Sequence, residues 1–227
     1  MKSEAGRVLR NFVDTTWSAR FAYAIGLMAS DGCLDSSTKE IHFVSKDREL
    51  VENFCQAIAI QKELTRSGRG GVKEKKYWRV RFKSRNFHDW LVGVGITPRK
   101  SKTIKAVDVP NEYFADFLRG LYDGDGTFWT WWDKRWPNSF GYTLGFSSAS
   151  HEFVVWLKQQ LTTRYGVKGY VHNGDGAYTI RYVKGDTRRI FTAMYGDAGH
   201  LFLTRKREKI QQAFEFDDKL KEARMLQ

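Results

Sequence analysis

The sequence predicts an α+β protein of two similar halves, each running αββαββα, joined through a central pair of helices. Three observations predict it. Long segments of the chain occur twice, the clearest strand alternates with period two, and the first helix of each half carries small residues four apart.

The repeat comes first. Residues 21–34, FAYAIGLMASDGCL, return as residues 115–128, ADFLRGLYDGDGTF, at an offset of 94. Both copies keep a glycine at the same place, Gly26 and Gly120, and both end in Asp-Gly, as Asp31-Gly32 and Asp125-Gly126. IHFVSKDRELVENF at 41–54 parallels LGFSSASHEFVVWL at 144–157, at an offset of 103. WRVRFKSRNFHDWL at 78–91 parallels YTIRYVKGDTRRIF at 178–191, at an offset of 100. Pro98-Arg99-Lys100 parallels Thr204-Arg205-Lys206, at an offset of 106. Four similarities in one order indicate a duplication, and extra residues around 131–138 account for the largest drift.

Each half then reads element by element. The first helix covers about 16–31 and 111–125. A hairpin follows at 33–45 and 128–147, then a helix at 48–58 and 151–165. A second hairpin lies at 63–83 and 169–183, and a short helix at 86–92 and 187–195. The closing segment of each half carries the Arg-Lys pair. In strand 77–83, Arg79, Arg81 and Lys83 point one way while Trp78, Val80 and Phe82 point the other, which is the period of a half-buried strand. Tyr178, Ile180 and Tyr182 form the matching apolar face. Asn173-Gly174 reads as a hairpin turn, so Asp175 is not counted as catalytic. The aromatic run 128–136 is expected to pack under its hairpin. Segment 104–111, IKAVDVPN, links the halves, with a stop at Pro110 and a helix start at Asn111. The expected division is 1–104, a linker at 105–112, and 113–227.

Composition bounds the function. Lys and Arg total 38 against 26 Asp and Glu, a formal charge of +12, and this favours a polyanionic partner. No apolar run reaches membrane-spanning length and the first residues lack a signal-peptide block, so a soluble intracellular protein without a membrane partner is expected. Cys33 and Cys55 form no CxxC pair, which excludes a cysteine zinc site and reads as two reduced thiols in partly buried places.

The first helix is apolar almost all round from Phe21 to Ala29, which means burial on every side. Gly26 and Ser30 lie four apart, as do Gly120 and Gly124, so two such helices can meet along smooth stripes. Running parallel, they bring Asp31 and Asp125 together. Each carboxylate then opposes its helix dipole by roughly 0.3–1 kcal/mol, and the two repel each other. A hard divalent cation removes both costs. For a single Asp-Gly, a plain helix stop with glycine as the residue after the cap would be preferred. Two at equivalent places favour the metal.

The segments AIGLMASDG (24–32) and LRGLYDGDG (118–126) resemble the two signature motifs of single-chain LAGLIDADG homing endonucleases. The first departs from the pattern in having Ala29 at the motif's earlier acidic position; Asp123 fills that position in the second and reads as polarity on a helix face. The resemblance covers nearly the whole chain. It implies two antiparallel β-sheets forming a saddle over DNA, around a two-helix interface. It implies a monomer that makes a metal-dependent double-strand break in a long asymmetric target. Asp31 and Asp125 would be the metal ligands, helped by the backbone carbonyls of Ser30 and Gly124, with Mg²⁺ or Mn²⁺ as the ion and Ca²⁺ binding without supporting cleavage.

The family also places a lysine near each site, and Lys100 and Lys206 are the best matches, with Lys102 and Arg205 as rivals. Ser45 and Ser148 stand at equivalent strand ends, where relatives carry a water-positioning group, although by themselves they read as exposed turn residues. Contacts to DNA would come from the polar sheet faces: Lys39, His42, Lys46, Arg66, Arg69, Lys73, Lys75, Lys76, Arg79, Arg81 and Lys83 in the first half. In the second they are Lys134, Arg135, Lys168, His172, Arg181 and Lys184. Protein-splicing segments are not found, so an intron-encoded or freestanding gene is expected. The competing expectation is a non-cleaving relative, such as a maturase that binds intron RNA.

Overall fold

The computed structural model describes residues 12–68, 76–136, 139–196 and 201–226. The first half begins with α1 (Ala19–Ser30), started by Ser18, whose hydroxyl accepts the Phe21 amide at 3.2 Å. There follow β1 (Gly32–Leu34), β2 (Glu40–Ser45), α2 (Arg48–Ala57), β3 (Thr65–Ser67), β4 (Tyr77–Lys83) and α3 (Arg85–Gly93). After 3-10 turns at Lys100–Lys102 and Asn111–Tyr113, the second half repeats the order. It runs α4 (Phe114–Asp125), β5 (Thr127–Trp132), β6 (Phe140–Ser148), α5 (His151–Tyr165), β7 (Tyr170–Gly174), β8 (Ala177–Val183) and α6 (Lys184–Tyr195).

The two halves share one topology. Each builds a four-stranded antiparallel sheet, ordered β1-β2-β4-β3 and β5-β6-β8-β7. Residues directly opposite across an antiparallel pair share a face. Ile41 faces Phe82 and Phe43 faces Val80, so this side is buried under α2 and α3. Leu144 with Tyr182 and Phe146 with Ile180 do the same under α5 and α6. The tight turn between β7 and β8 uses Asp175 and Gly176, at φ +55° and +74°, rather than Asn173-Gly174.

The closing segment holds a helix that the sequence reading leaves out. α7 (Thr204–Met225) is 22 residues long and lies along β5 and β6. Few of its residues are buried, chiefly Ile210, Ala213 and Asp217, so its apolar stripe is too thin to stand out as a period. Its strong helix formers were the available signal. Arg188 ties α6 to α7, reaching Asp217 at 3.2 Å and Asp218 at 2.7 Å.

The aromatic run of β5 divides between two faces instead of packing beneath the hairpin. Phe128 is buried and Trp132 leans on Phe140 and Phe216 from the helix side. Trp129 and Trp131 lie on the other side, opposite Thr143 and Gly141. Cys55 is buried but Cys33 is exposed.

Candidate active site

The site is built where α1 and α4 end. The two helices run parallel with backbones almost touching. A methyl group on Gly26 would lie 2.1 Å from the Phe117 carbonyl oxygen, and one on Gly120 would lie 2.0 Å from that of Tyr23. One added at Gly124 would meet the Ser30 hydroxyl at 2.0 Å and the Asp31 carboxylate at 3.3 Å. Gly26, Ser30, Gly120 and Gly124 therefore form the seam, and the Asp31 side chain stands beside the residue preceding Asp125.

Glycine after each aspartate has a steric reason other than the left-handed turn of a helix stop. Gly126 is extended, at φ −67°. A side chain there would strike Tyr122 at 2.2 Å, and one on Gly32 would strike Met28 at 2.5 Å. The chain must leave each helix hard against its own last turn.

Two lysines finish the helix ends in matching fashion. Lys100 donates to the carbonyls of Ser30 at 2.8 Å and Gly32 at 2.6 Å. Lys206 donates to those of Tyr122 at 2.7 Å, Gly124 at 2.8 Å and Gly126 at 2.7 Å. Each ammonium thus satisfies carbonyls that a helix C-terminus leaves unpaired. Burial pushes both lysines down, Lys206 to about 8; the charges of Asp125 and Asp31 pull Lys100 back up, and those of Asp123, Asp31 and Asp125 do the same for Lys206. The Ser30 and Gly124 carbonyls, expected to help hold a metal, are each shared with a lysine. Of the rivals, Lys102 is exposed, and Arg205 makes a two-pronged contact with Asp47 at 2.7 and 2.6 Å.

Each acid lies beside its own sheet. Asp31 lines a cleft of about 510 Å³ with His42, Ser45, Lys46, Arg79 and Arg205. Asp125 borders a gap too narrow for water, with Ser147 and Ser148 and the core side chains Leu121, Phe146 and Phe153. Ser45 and Ser148 are half-buried, and their hydroxyls accept the amides of Asp47 and Ser150 at 3.2 and 3.1 Å. Among the described residues, no three His, Cys, Asp or Glu side chains converge as a metal-ligand group.

Several residues that tie this site together escaped the sequence reading. Asp123 is not polarity on a helix face. It is buried, and accepts from Tyr23 Oη at 2.9 Å, Tyr195 Oη at 2.7 Å and the Leu203 amide at 2.7 Å. Burial lifts its pKa to about 6 against those three donors. Asp47, just before α2, and Glu49 within it hold Arg205 and the Thr204 amide across the halves, and Asn53 donates to the Phe202 carbonyl at 2.8 Å. Asp123 offered one signal, an acid inside a helix that is otherwise buried; the cross-half contacts offered none.

The expected DNA contacts sort by face. The register puts His42 opposite Arg81, Val44 opposite Arg79 and Glu40 opposite Lys83, all on the side away from the helices. Lys46 and Lys76 are exposed near this face. Lys39 pairs instead with Asp89 of α3 at 3.0 Å. Arg66 lies on the helix side, its guanidinium 3.8 Å from the Trp78 ring centre, with Arg48 on the same ring at 5.0 Å. In the second half Arg181 and His172 share the open face with Gly145 and Thr179. Lys134 and Arg135 are exposed in the β5–β6 turn, Lys168 before β7, and Lys184 at the start of α6. Arg69, Lys73 and Lys75 lie outside the described residues.

Structures of this shape include the homing endonuclease I-LtrWI bound to target DNA, with TM-score 0.61, 8% identity, and 89% of this chain and 91% of that one covered. They include I-AabMI bound to uncleaved DNA, with TM-score 0.61, 13% identity and 89% and 92% covered. The N-terminal LAGLIDADG domain of DUF199/WhiA matches at TM-score 0.54, 14% identity and 88% and 89% covered. The chain has the two-motif LAGLIDADG fold. Among curated proteins, this LAGLIDADG-fold chain is 28% identical over 169 residues to elongation factor 2 of Methanopyrus kandleri, covering 72% of itself and 12% of that protein's length. No family model matches it. Among the described residues, no helix of this LAGLIDADG-fold chain is long and apolar enough to cross a membrane.

Proposed function

We propose that this chain is a site-specific endonuclease that makes a double-strand break in DNA by divalent-metal-dependent hydrolysis. Asp31 and Asp125 are the metal ligands and catalytic acids, one for each strand. The carrying observation is the parallel packing of α1 on α4, which sets the Asp31 carboxylate against Gly124 at the seam. Neighbours of this fold were crystallised on DNA targets, and one, I-DmoI, on nicked target in the presence of manganese.

The residues suit a hard cation. Carboxylate and carbonyl oxygens are the donors that Mg²⁺ and Mn²⁺ prefer. Among the described residues fewer than three such side chains converge, so water and phosphate oxygens would complete the shell, as is usual for Mg²⁺. Such an ion activates water and stabilises the leaving oxygen in phosphodiester hydrolysis. Lys100 and Lys206 hold the helix ends in place and add positive charge close to where a scissile phosphate would lie. Halves 1–104 and 113–227, joined by 105–112, each engage half of an asymmetric site, in a single chain acting as a monomer.

The second reading is a non-cleaving nucleic-acid binder, including an intron-RNA partner. Its support is that both lysines are already committed to backbone carbonyls and that no three-ligand cluster forms among the described residues. One experiment separates the two. A randomised duplex pool is selected for Mg²⁺-dependent cutting, and the winning target is given to Asp31→Asn and Asp125→Asn. Each variant should lose double-strand cleavage by roughly a thousandfold or more while still binding the duplex. Normal cutting by both variants removes the assignment; binding without cutting by the unaltered protein favours the second reading.

A further inference from the structure

The open faces of the two sheets differ in chemistry. The first carries His42, Arg79, Arg81 and Lys83. The equivalent face of the second carries Trp129, Trp131, Tyr170 and Val183 toward the β5–β6 turn, with Arg181 beside them and the polar row Ser147, Thr179 and His172 at its other end. These apolar groups are not spent on the core: Trp131 is 37% exposed, Val183 42% and Tyr170 50%.

The backbone is shaped to display the indoles. Any side chain on Gly141 would strike the Trp131 ring at 2.4 Å, so glycine there lets that ring lie across the neighbouring strand. Trp131 turns its one polar atom inward, Nε1 donating to Thr143 Oγ1 at 3.3 Å. What it shows outward is hydrocarbon. Arg181 sits over Trp129 at 5.4 Å, completing a mainly apolar patch.

Resting on the nuclease reading, we infer that the second half recognises its half-site by apolar contact with thymine 5-methyl groups, through Trp129, Trp131, Tyr170 and Val183. An indole face presents negative π density, which phosphate avoids. Of the groups lining the major groove, the thymine methyl is the apolar one, and a two-stranded ribbon fits that groove. The first half supplies charge-based contacts to phosphates and to guanine or adenine edges. The two half-sites are therefore read by different physics, and the second should be rich in A·T pairs.

The test uses the unaltered protein and the duplex recovered by binding selection. The half-site under the first sheet is identified as the one losing footprint protection in the Arg79→Ala, Arg81→Ala double variant. Thymines are then replaced by deoxyuridine, which lacks only the methyl, in one half-site at a time, and Kd is read by fluorescence anisotropy. Each contacted methyl should be worth about fourfold in Kd. Uracil in the second half-site should weaken binding by that factor or more, and in the first by less than about twofold. In Trp131→Ala the second half-site should lose part of its uracil sensitivity. Equal sensitivity in both half-sites, none in the second, or a preference for single-stranded over duplex DNA overturns the inference. A duplex that is bound and cut without methyl dependence removes this inference alone; failure to recover any bound duplex removes the nuclease reading with it.

Discussion

Asp123 is a carboxylate placed where a charge is expensive. It lies within α4, between the phenols of Tyr23 and Tyr195, with the Leu203 amide as third donor. Those bonds stabilise the anion, yet burial outweighs them and its pKa stands at about 6 instead of 3.8. Around it, the tyrosines are pushed up and Lys206 is at about 8, so none of these titrates with it. A raised folded pKa means that the folded state keeps a proton which the unfolded chain releases. This contribution to stability is full below pH 3.8 and is lost as pH rises through about 6. Asp123→Asn removes the titration. The stability of the natural protein relative to that variant should therefore fall between pH 4 and 6.5, by up to about 3 kcal/mol. Urea unfolding of both proteins at several pH values measures it, and a flat difference would show that Asp123 ionises freely in the fold.

At the scale of elements, the pairing of α1 with α4 decides whether a site exists. The Tyr23 carbonyl is backbone and cannot rotate away, so Gly120→Ala forces the helices apart. We expect a loss of roughly 3 kcal/mol or more, accompanied by loss of cleavage as Asp31 and Asp125 separate. Gly185→Ala in the first turn of α6 is the control: nothing lies within 4 Å of the added methyl, and the change should cost no stability. Thermal melts of both variants test the pair. This seam was legible in the sequence because a duplicated Gly-x₃-small stripe on an apolar helix has few other uses. The strand faces were legible from period two. The close exit at Gly32 and Gly126 was not, because a helix-end glycine reads the same whether it serves a left-handed turn or a steric gap. Nor was α7, whose surface is mostly polar. The lysine caps were half legible. The repeat located Lys100 and Lys206, but their donation to backbone carbonyls depends on how the folded chain brings residues about 70 and 82 apart together, which no local pattern records.

For the whole molecule, the excess of 12 positive charges is distributed by face, and that distribution is measurable. Binding to duplex DNA releases about 0.9 counterion per phosphate neutralised, so affinity should fall steeply with salt. Arg79 and Arg81 project from the open face of the first sheet, as the register with Val44 and His42 requires. Replacing either by alanine should reduce the slope of log K against log salt by about 1. Arg66 is one residue from the open-face position of Thr65, on the opposite side of the strand, stacked on Trp78. Arg66→Ala should leave the slope unchanged and instead lower stability by about 0.5–1 kcal/mol through the lost cation–π contact. Formal charge changes equally in all three variants, so net charge alone predicts three equal slopes. Titrations at four salt concentrations separate the two accounts: equal losses would mean that the protein acts on DNA as a diffuse cation, and a loss confined to Arg79 and Arg81 would mean that the duplex lies on the sheet.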